Sequence, residues 1–173
     1  EWVRTAKNAG MKYFVVTSKH HEGFALFKSK ASKFNSVDAT PFGRDIIGEL
    51  AEACYKLDMK FGLYYSQAID WSHPDGAPTK KFELNCGVME WSNVWDFPDI
   101  EHKDYMRCYN EKIKPQVKEI LTNYGDLCLI WFDTPSGIPK ECSKELYDMV
   151  KHYQPNCLIN SRIGVEGCVF DYE

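Results

Sequence analysis

Asp133 is the residue whose type and position most strongly suggest chemistry. It ends Leu127–Asp133, an apolar and aromatic run whose glycine- and proline-containing flanks predict a strand buried on both faces, as in parallel sheets. Side chains alternate along a strand, so Trp131 and Asp133 point to the same side. A carboxylate beside an indole is costly to remove from water. Asp133 therefore suggests an acid suited to nucleophilic catalysis, although it could instead cap the turn that follows.

Polar and aromatic side chains also lie where three other predicted strands end. They are His20 and His21, Tyr64 and Tyr65, and Asn160 and Arg162. If the strands are parallel, these ends meet at one rim and form the wall of a pocket for a polar ligand. Arg162 near Asp133 would keep that acid ionised. Neighbouring residues on a strand face opposite sides, so only one of the two tyrosines can face the pocket, and spacing does not decide which.

The adjacent pair His20 and His21 allows three interpretations. Metal ligation is disfavoured, because a strand brings together residues two apart, as in His-x-His, while adjacent residues diverge. Hydrogen bonding to a hydroxyl-rich ligand is favoured, since an imidazole can donate and accept. A structural role at the end of the strand is the third. The cluster from Trp91 to Trp95 could be a sugar-stacking lid or loop packing, and three further histidines are predicted to be surface or loop residues: His73, His102 and His152.

The secondary-structure pattern alternates helices and strands. Helices are predicted over Glu1–Ala9, Asp45–Leu57, Tyr105–Tyr124 with a kink or break at Pro115, and Lys140–Tyr153; strands are predicted over Lys12–Ser18, Phe61–Ser66, Leu127–Asp133 and Cys157–Arg162. Links into strands are short, whereas two links out of strands run to tens of residues. Such a pattern is typical of a (β/α)8 barrel, whose functional loops follow the strands. A doubly wound sheet is the alternative, but its G-x-G-x-x-G turn is missing. The predicted fold is α/β, with about four βα units of a partial barrel and parallel strands.

Composition narrows the function classes. The 173 residues are 44% hydrophobic and 27% charged, with a formal net charge of -4, so no basic stripe is available for nucleic acid. The 7 cysteines are scattered and predict small buried side chains rather than a zinc site or disulfide framework. No apolar stretch is long enough to span a bilayer. The chain begins at Glu1 rather than at Met and stops at Glu173 without an obvious terminus, so we expect a fragment of a longer protein. Taken with the predicted fold, all of it is expected to be part of a single catalytic barrel domain, truncated at both ends.

Several segments together resemble the alpha-L-fucosidase family of retaining glycoside hydrolases. They are Lys19–Phe24, Phe34–Ser36, Gly43–Asp45, Phe61–Ser66 with Asp70-Trp71, Trp131–Asp133 and Asn160–Arg162. The resemblance implies a (β/α)8-like barrel that removes terminal alpha-linked L-fucose from an oligosaccharide or glycoconjugate by double displacement. It implies that Asp133 is the nucleophile, that no metal or organic cofactor is needed, and that five residues contact the fucose: His20, His21, Tyr64, Trp131 and Arg162.

The resemblance leaves the second catalytic carboxyl unassigned. The family's acid/base usually lies farther along the chain than Glu173, and Glu166 and Glu173 are candidates by position only. A non-catalytic fucose-binding relative and a metal-dependent barrel hydrolase remain as alternatives. By resemblance the protein is expected in a periplasmic, secreted or lysosomal setting. Linkage preference and oligomeric state stay open.

Overall fold

A computed structural model describes residues 1–76, 82–84, 87–89, 93–133, 135 and 138–165. Its strands are β1 (Tyr13–Lys19), β2 (Lys60–Ser66), β3 (Phe82–Leu84), β4 (Gly87–Met89), β5 (Leu129–Asp133) and β6 (Leu158–Ile159). Its α-helices are α1 (Trp2–Asn8), α2 (Ile46–Lys56), α3 (Tyr105–Cys108), α4 (Lys114–Asn123) and α5 (Lys140–Tyr153). The order of long elements follows the predicted alternation, and the hairpin of β3 and β4 inside the second long loop was not predicted.

The four main strands form one parallel sheet in the order β1-β2-β5-β6. Each strand pairs with the next main strand along the chain, in parallel. A doubly wound sheet reverses its strand order at a switch point, whereas a barrel adds each strand beside the last. The prediction of an α/β fold with four βα units of a partial (β/α)8 barrel is confirmed, and within the described residues the sheet does not close.

Among the described residues, helices pack against one face of this sheet and leave the other face open. Ile130 and Phe132 point into the helix-covered core and are fully buried, together with Leu63 of β2 and Ile47 of α2. Between them on the other side, Trp131 is 39% exposed. The prediction that Leu127–Asp133 is buried on both faces was therefore wrong for this chain. We call the open side, which carries Tyr64, Trp131 and Asp133, the inner face.

The helical segment before β5 runs from Tyr105 to Asn123 without a gap, so the alternative that Pro115 splits it in two was wrong. A π-helical turn, Tyr109–Ile113, separates α3 from α4, and Pro115 lies in the first turn of α4. Because proline has no backbone N–H, this position lacks one hydrogen bond to the preceding helical turn. The π-helical turn buries Lys112 beside Tyr109 and Ile113, which places a cation inside the protein.

The last strand is shorter than predicted. Strand β6 ends at Ile159, and a 3-10 helix, Ser161–Ile163, replaces the rest of the expected strand Cys157–Arg162. The Asn160 side chain explains the early end, because its amide takes the place of a strand neighbour. It accepts from the Phe132 N–H at 2.9 Å and donates to the Phe132 carbonyl at 3.0 Å.

Other expectations fare differently. Val3 and Ala6 of α1 are buried, whereas Trp2 is 69% exposed. Cys54 and Cys157 are buried as predicted, and burial raises the pKa of the Cys157 thiol to about 12; Cys128 is only partly buried, while Cys86 and Cys168 lie outside the described residues. None of the described helices combines the length and apolar character needed to cross a bilayer.

Candidate active site

The loop after β1 places two imidazoles at the rim of the sheet. Their rings stack, with centroids 4.1 Å apart. His21 is buried, while the His20 side chain is 48% exposed and lies 3.5 Å from the Glu22 carboxylate. The indole of Trp71 packs edge-on against His21, and the Trp71 N–H donates to the His21 carbonyl at 2.7 Å. The loop after β2, which carries Trp71, thus helps to hold the two histidines of the loop after β1 in place.

Burial keeps His21 neutral over most of the pH range. Removal from water, with help from His20 and Lys19, lowers the pKa of His21 from 6.5 to about 4, although the negative charge of Asp133 opposes this change. A neutral imidazole has one donor and one acceptor nitrogen. His21 is therefore suited to a hydroxyl group, which also donates and accepts.

The two tyrosines at the end of β2 face opposite sides, and the structure decides which one faces Asp133. The Tyr64 hydroxyl donates to Asp133 Oδ2 at 2.8 Å, and its ring lies between His20, at 5.6 Å, and Trp131, at 6.4 Å. Tyr65 is fully buried on the helix side and donates to Gln116 at 2.8 Å. Burial, followed by the bond to Asp133, raises the pKa of Tyr64 well above its usual value. Tyr64 is thus a permanent donor.

Asp133 forms an ion pair with a cation and also accepts a hydrogen bond from the Tyr64 hydroxyl. Arg162 Nη1 lies 2.7 Å from Asp133 Oδ1, with the guanidinium side chain 54% exposed and the carboxylate 14% exposed. Opposite charge and hydrogen bonding both favour the ionised carboxylate. The sequence predicted that Arg162 ends a strand, but in the structure it lies in the 3-10 helix after β6. The suggested turn cap stays a prediction, since most of the turn after Asp133 lies outside the described residues.

All of the predicted site residues lie in one connected group on and beside the inner face. His21 stacks on His20, His20 on Tyr64, and Tyr64 joins Asp133, which holds Arg162. Trp131 pairs in register with Tyr64 and adds an apolar surface. Together they offer a carboxylate, hydrogen-bond donors and acceptors, a cation and an apolar surface, a combination suited to binding a polar ligand and supplying a nucleophile.

Behind this group lies a buried cluster of charges, Lys19, Asp70 and Lys112, which we call the buried triad. Asp70 lies 3.0 Å from Lys19 Nζ and 2.7 Å from Lys112 Nζ, and all three side chains are at most 5% exposed. Burial acts to raise the pKa of Asp70, but the two ammonium groups outweigh it and lower that pKa to about 2. The triad ties the loops after β1 and β2 to the π-helical turn.

Gly23 lets the His20–His21 loop pass over this triad. Its φ is +83°, and a Cβ there would lie 2.2 Å from Asp70 Oδ1 and 2.3 Å from Ser72 Oγ. Its carbonyl accepts from Lys112 Nζ at 3.1 Å. Only glycine meets both the conformation and the close approach.

Sequence patterns missed two residues that hold this site. Gln67, directly after β2, binds the Asp133 backbone, and Lys112 completes the buried triad. The strand end could have suggested Gln67. The signal for Lys112 was a polar residue on the otherwise apolar stripe of Tyr109, Ile113 and Val117.

The remaining candidates do not join the group. His102 and Trp95 are exposed, and His73 lies in the loop after β2 beside Asp75. Trp91, Glu166 and Glu173 lie outside the described residues. Across the described part of the chain, no set of three or more His, Cys, Asp or Glu side chains could hold a metal ion.

Comparisons with known proteins identify the family to which the chain belongs. The family model "Alpha-L-fucosidase" matches residues 1–172. The alpha-L-fucosidase AlfC from Lactobacillus casei, solved with alpha-L-fucose product, is 52% identical with a TM-score of 0.90, covering 96% of this chain and 51% of that one. A variant of AlfC, solved with Fuca(1,6)GlcNAc, is 52% identical with a TM-score of 0.90, covering 95% of this chain and 52% of that one.

A mammalian relative extends the likeness. Tissue alpha-L-fucosidase of Bos taurus is 45% identical over 155 residues, covering 73% of this chain and 32% of the relative. The chain thus spans about half the length of the AlfC structures and about a third of the bovine protein. With a family model that matches almost its whole length and a close structural likeness to solved members, this chain belongs to the alpha-L-fucosidase family of glycoside hydrolases.

Proposed function

We propose that the full-length protein is a retaining alpha-L-fucosidase and that this chain, as part of its single catalytic barrel domain, carries the nucleophile Asp133. The observation that carries the proposal is the placement of Asp133. Its carboxylate ends β5 on the inner face and is held by the Tyr64 hydroxyl and by Arg162, at 2.8 Å and 2.7 Å. A carboxylate that is ionised and fixed by two neighbours is prepared for attack on an anomeric carbon.

The proposed reaction has two displacements. A carboxylate oxygen of Asp133 bonds to the anomeric carbon of fucose while the bond to the leaving oxygen breaks, and a second carboxylic acid gives that oxygen its proton. The same second group then takes a proton from water, which attacks the anomeric carbon and releases Asp133. We place this second group outside the described residues. The cycle consumes one water and needs no metal or organic cofactor.

The neighbouring side chains have separate roles in this proposal. His20 and His21 bind hydroxyls of the fucose, since the ring nitrogens of histidine form hydrogen bonds to hydroxyl groups. Arg162 also contacts the sugar, and Trp131, 39% exposed, provides an apolar wall for the methyl group. Tyr64 holds Asp133 in the carboxylate form before attack and after release. The substrate is a fucosylated oligosaccharide or glycoconjugate, supported by AlfC structures with alpha-L-fucose and with Fuca(1,6)GlcNAc.

The test is Asp133→Gly in the full-length enzyme, assayed on an aryl alpha-L-fucoside. We expect turnover to fall by about 1,000-fold or more, because the covalent step is lost. Azide fits the space left by the carboxylate and attacks from the same side, so it should restore part of the release of the aryl group and give the beta-fucosyl azide. Normal turnover in the variant would refute the role of Asp133.

The native protein separates the two alternatives. A non-catalytic relative would bind fucose but release no aryl group, and a metal-dependent hydrolase would lose its activity to a chelator and regain it on addition of metal. We expect turnover that a chelator leaves unchanged.

A further inference from the structure

The side chain of Gln67 connects the backbones of the two charged residues of the site. Gln67 is fully buried directly after β2. Its Oε1 accepts from the Asp133 N–H at 2.7 Å, and its Nε2 donates to the Arg162 carbonyl at 2.8 Å. Its own carbonyl accepts from the Tyr105 hydroxyl at 2.8 Å. One residue thus joins the ends of β2 and β5 to the 3-10 helix after β6.

The orientation of this amide is fixed by its partners. A backbone N–H can only donate and a backbone carbonyl can only accept, so the oxygen must face Asp133 and the nitrogen must face Arg162. Turning the Gln67 amide over would place two donors against each other at Asp133 and two acceptors against each other at Arg162. A leucine or methionine of the same size would remove both of these partly buried hydrogen bonds.

The Gln67 amide binds beyond the point where backbone pairing between β5 and β6 ends. Pairing of β5 with β6 stops at Ile130 with Ile159. Asn160 then binds both backbone groups of Phe132, and Gln67 binds the next N–H, that of Asp133. These two side-chain amides thus join the end of β5 to the segment that carries Arg162, whose Nη1 lies 2.7 Å from Asp133 Oδ1.

We propose that Gln67 is a positioning residue that sets the distance between the Asp133 carboxylate and the Arg162 guanidinium. The inference rests on the proposed role of Asp133. Gln67 touches neither the sugar nor the reacting atoms in this account. It acts by holding the nucleophile at the angle and charge state needed for attack.

The test compares Gln67→Met with Gln116→Met in the full-length enzyme. Gln116 is a matched control, because it is also fully buried and its amide also makes two side-chain hydrogen bonds, to Tyr65 and Ser29, but on the helix side of the sheet. Misplacing a reacting group by about 1 Å can lower a rate by about 100-fold. We expect kcat of Gln67→Met to fall by about 10- to 100-fold with KM changed by less than about threefold, and kcat of Gln116→Met to stay near the native value.

A pH profile distinguishes positioning from loss of structure. If Arg162 moves away from Asp133, the carboxylate ionises at higher pH, so the acidic limb of kcat/KM should move up by about half a pH unit or more in Gln67→Met. Gln116→Met should keep the native limb. A profile and a kcat for Gln67→Met that match those of Gln116→Met would overturn the proposal.

Gln67→Glu tests the same proposal if the methionine variant does not fold. A protonated glutamic acid can still accept from Asp133 and donate to Arg162, whereas an ionised glutamate cannot donate. Its activity relative to the native enzyme should therefore fall as the pH rises, and a constant ratio would contradict the proposal. Asp133→Gly keeps the two proposals apart: normal turnover there refutes the nucleophile, whereas an inactive Asp133→Gly with a harmless Gln67→Met refutes only the positioning role.

Discussion

Asp133 ends β5 and Asp70 lies in the loop after β2, and both carboxylates are paired with cations. Asp133 has one arginine, which is 54% exposed, while Asp70 has two lysines that are at most 5% exposed. The Asp70 side chain is fully buried and also accepts two hydrogen bonds from Ser72, so its carboxylate is closed to a substrate. Asp133 stands on the open inner face. Burial, rather than the presence of an ion pair, separates a structural acid from a candidate catalytic one.

The largest expected effect is the loss of stability when Asp70 is neutralised. Asp70→Asn leaves Lys19 and Lys112 buried without a counter-charge, which should lower the free energy of unfolding by about 3–5 kcal/mol. Asp133→Asn should lower it by no more than about 1 kcal/mol, because Arg162 can turn to solvent. Chemical denaturation of the full-length variants measures both.

The same pair of variants should show the opposite order in catalysis. Asp133→Asn is expected to lose turnover at full stability, whereas Asp70→Asn should retain turnover at a temperature where it remains folded. Equal losses of stability in the two variants would mean that the distinction by burial is wrong.

A smaller effect, up to about 3 kcal/mol, is expected from His21 as the pH falls. His21 stays neutral when folded down to a pKa of about 4, whereas its ordinary pKa is 6.5. Between these values the unfolded chain binds a proton that the folded chain does not, so stability is lost as the pH falls from 6.5 to 4. The pKa of Asp70 is lowered from 3.8 to about 2, so the stability that Asp70 contributes is present above 3.8 and lost only below that pH.

The measurement is the thermal midpoint of the full-length protein between pH 6.5 and 4. His21→Asn should remove most of the slope that the native protein shows in this window. His152→Asn, at an exposed position of α5, is the control and should keep the native slope. An unchanged slope in His21→Asn would place the acid sensitivity elsewhere.

The difference between the two acids also explains how far the sequence could lead. Alternation along β2 and β5 predicted that one tyrosine would share a face with Trp131 and Asp133, and parallel strands predicted that the histidines and Arg162 would lie at the same rim. Such patterns are local and survive folding. They therefore identified the side chains at the strand ends that lie on or beside the inner face.

Partners that meet only through the tertiary fold were beyond reach. Lys112 is 42 positions from Asp70 along the chain, and nothing local relates a lysine on a helix stripe to that loop aspartate. The length of β6 was overestimated because the Asn160 side chain, not the backbone, continues the pairing with Phe132. The prediction that β5 is buried on both faces came from its apolar and aromatic residues, whereas the described strands leave the inner face open.

The smallest expected effects come from the two neighbouring tyrosines of β2, one beside each acid. Tyr64 donates to Asp133, while Tyr65 donates to Gln116 and lies under Lys19, whose Nζ is 4.6 Å from the ring centroid. Tyr64→Phe should lower kcat by about 10-fold with little change in stability, because it removes one donor from a partly exposed carboxylate. Tyr65→Phe should leave kcat within about twofold but lower the free energy of unfolding by about 1–2 kcal/mol, since it leaves the Gln116 oxygen buried without its donor. The two variants each lose a single hydroxyl from adjacent positions. Steady-state kinetics and chemical denaturation of both test whether function depends on one face of the strand and stability on the other. A similar loss of kcat in both variants would show that it does not.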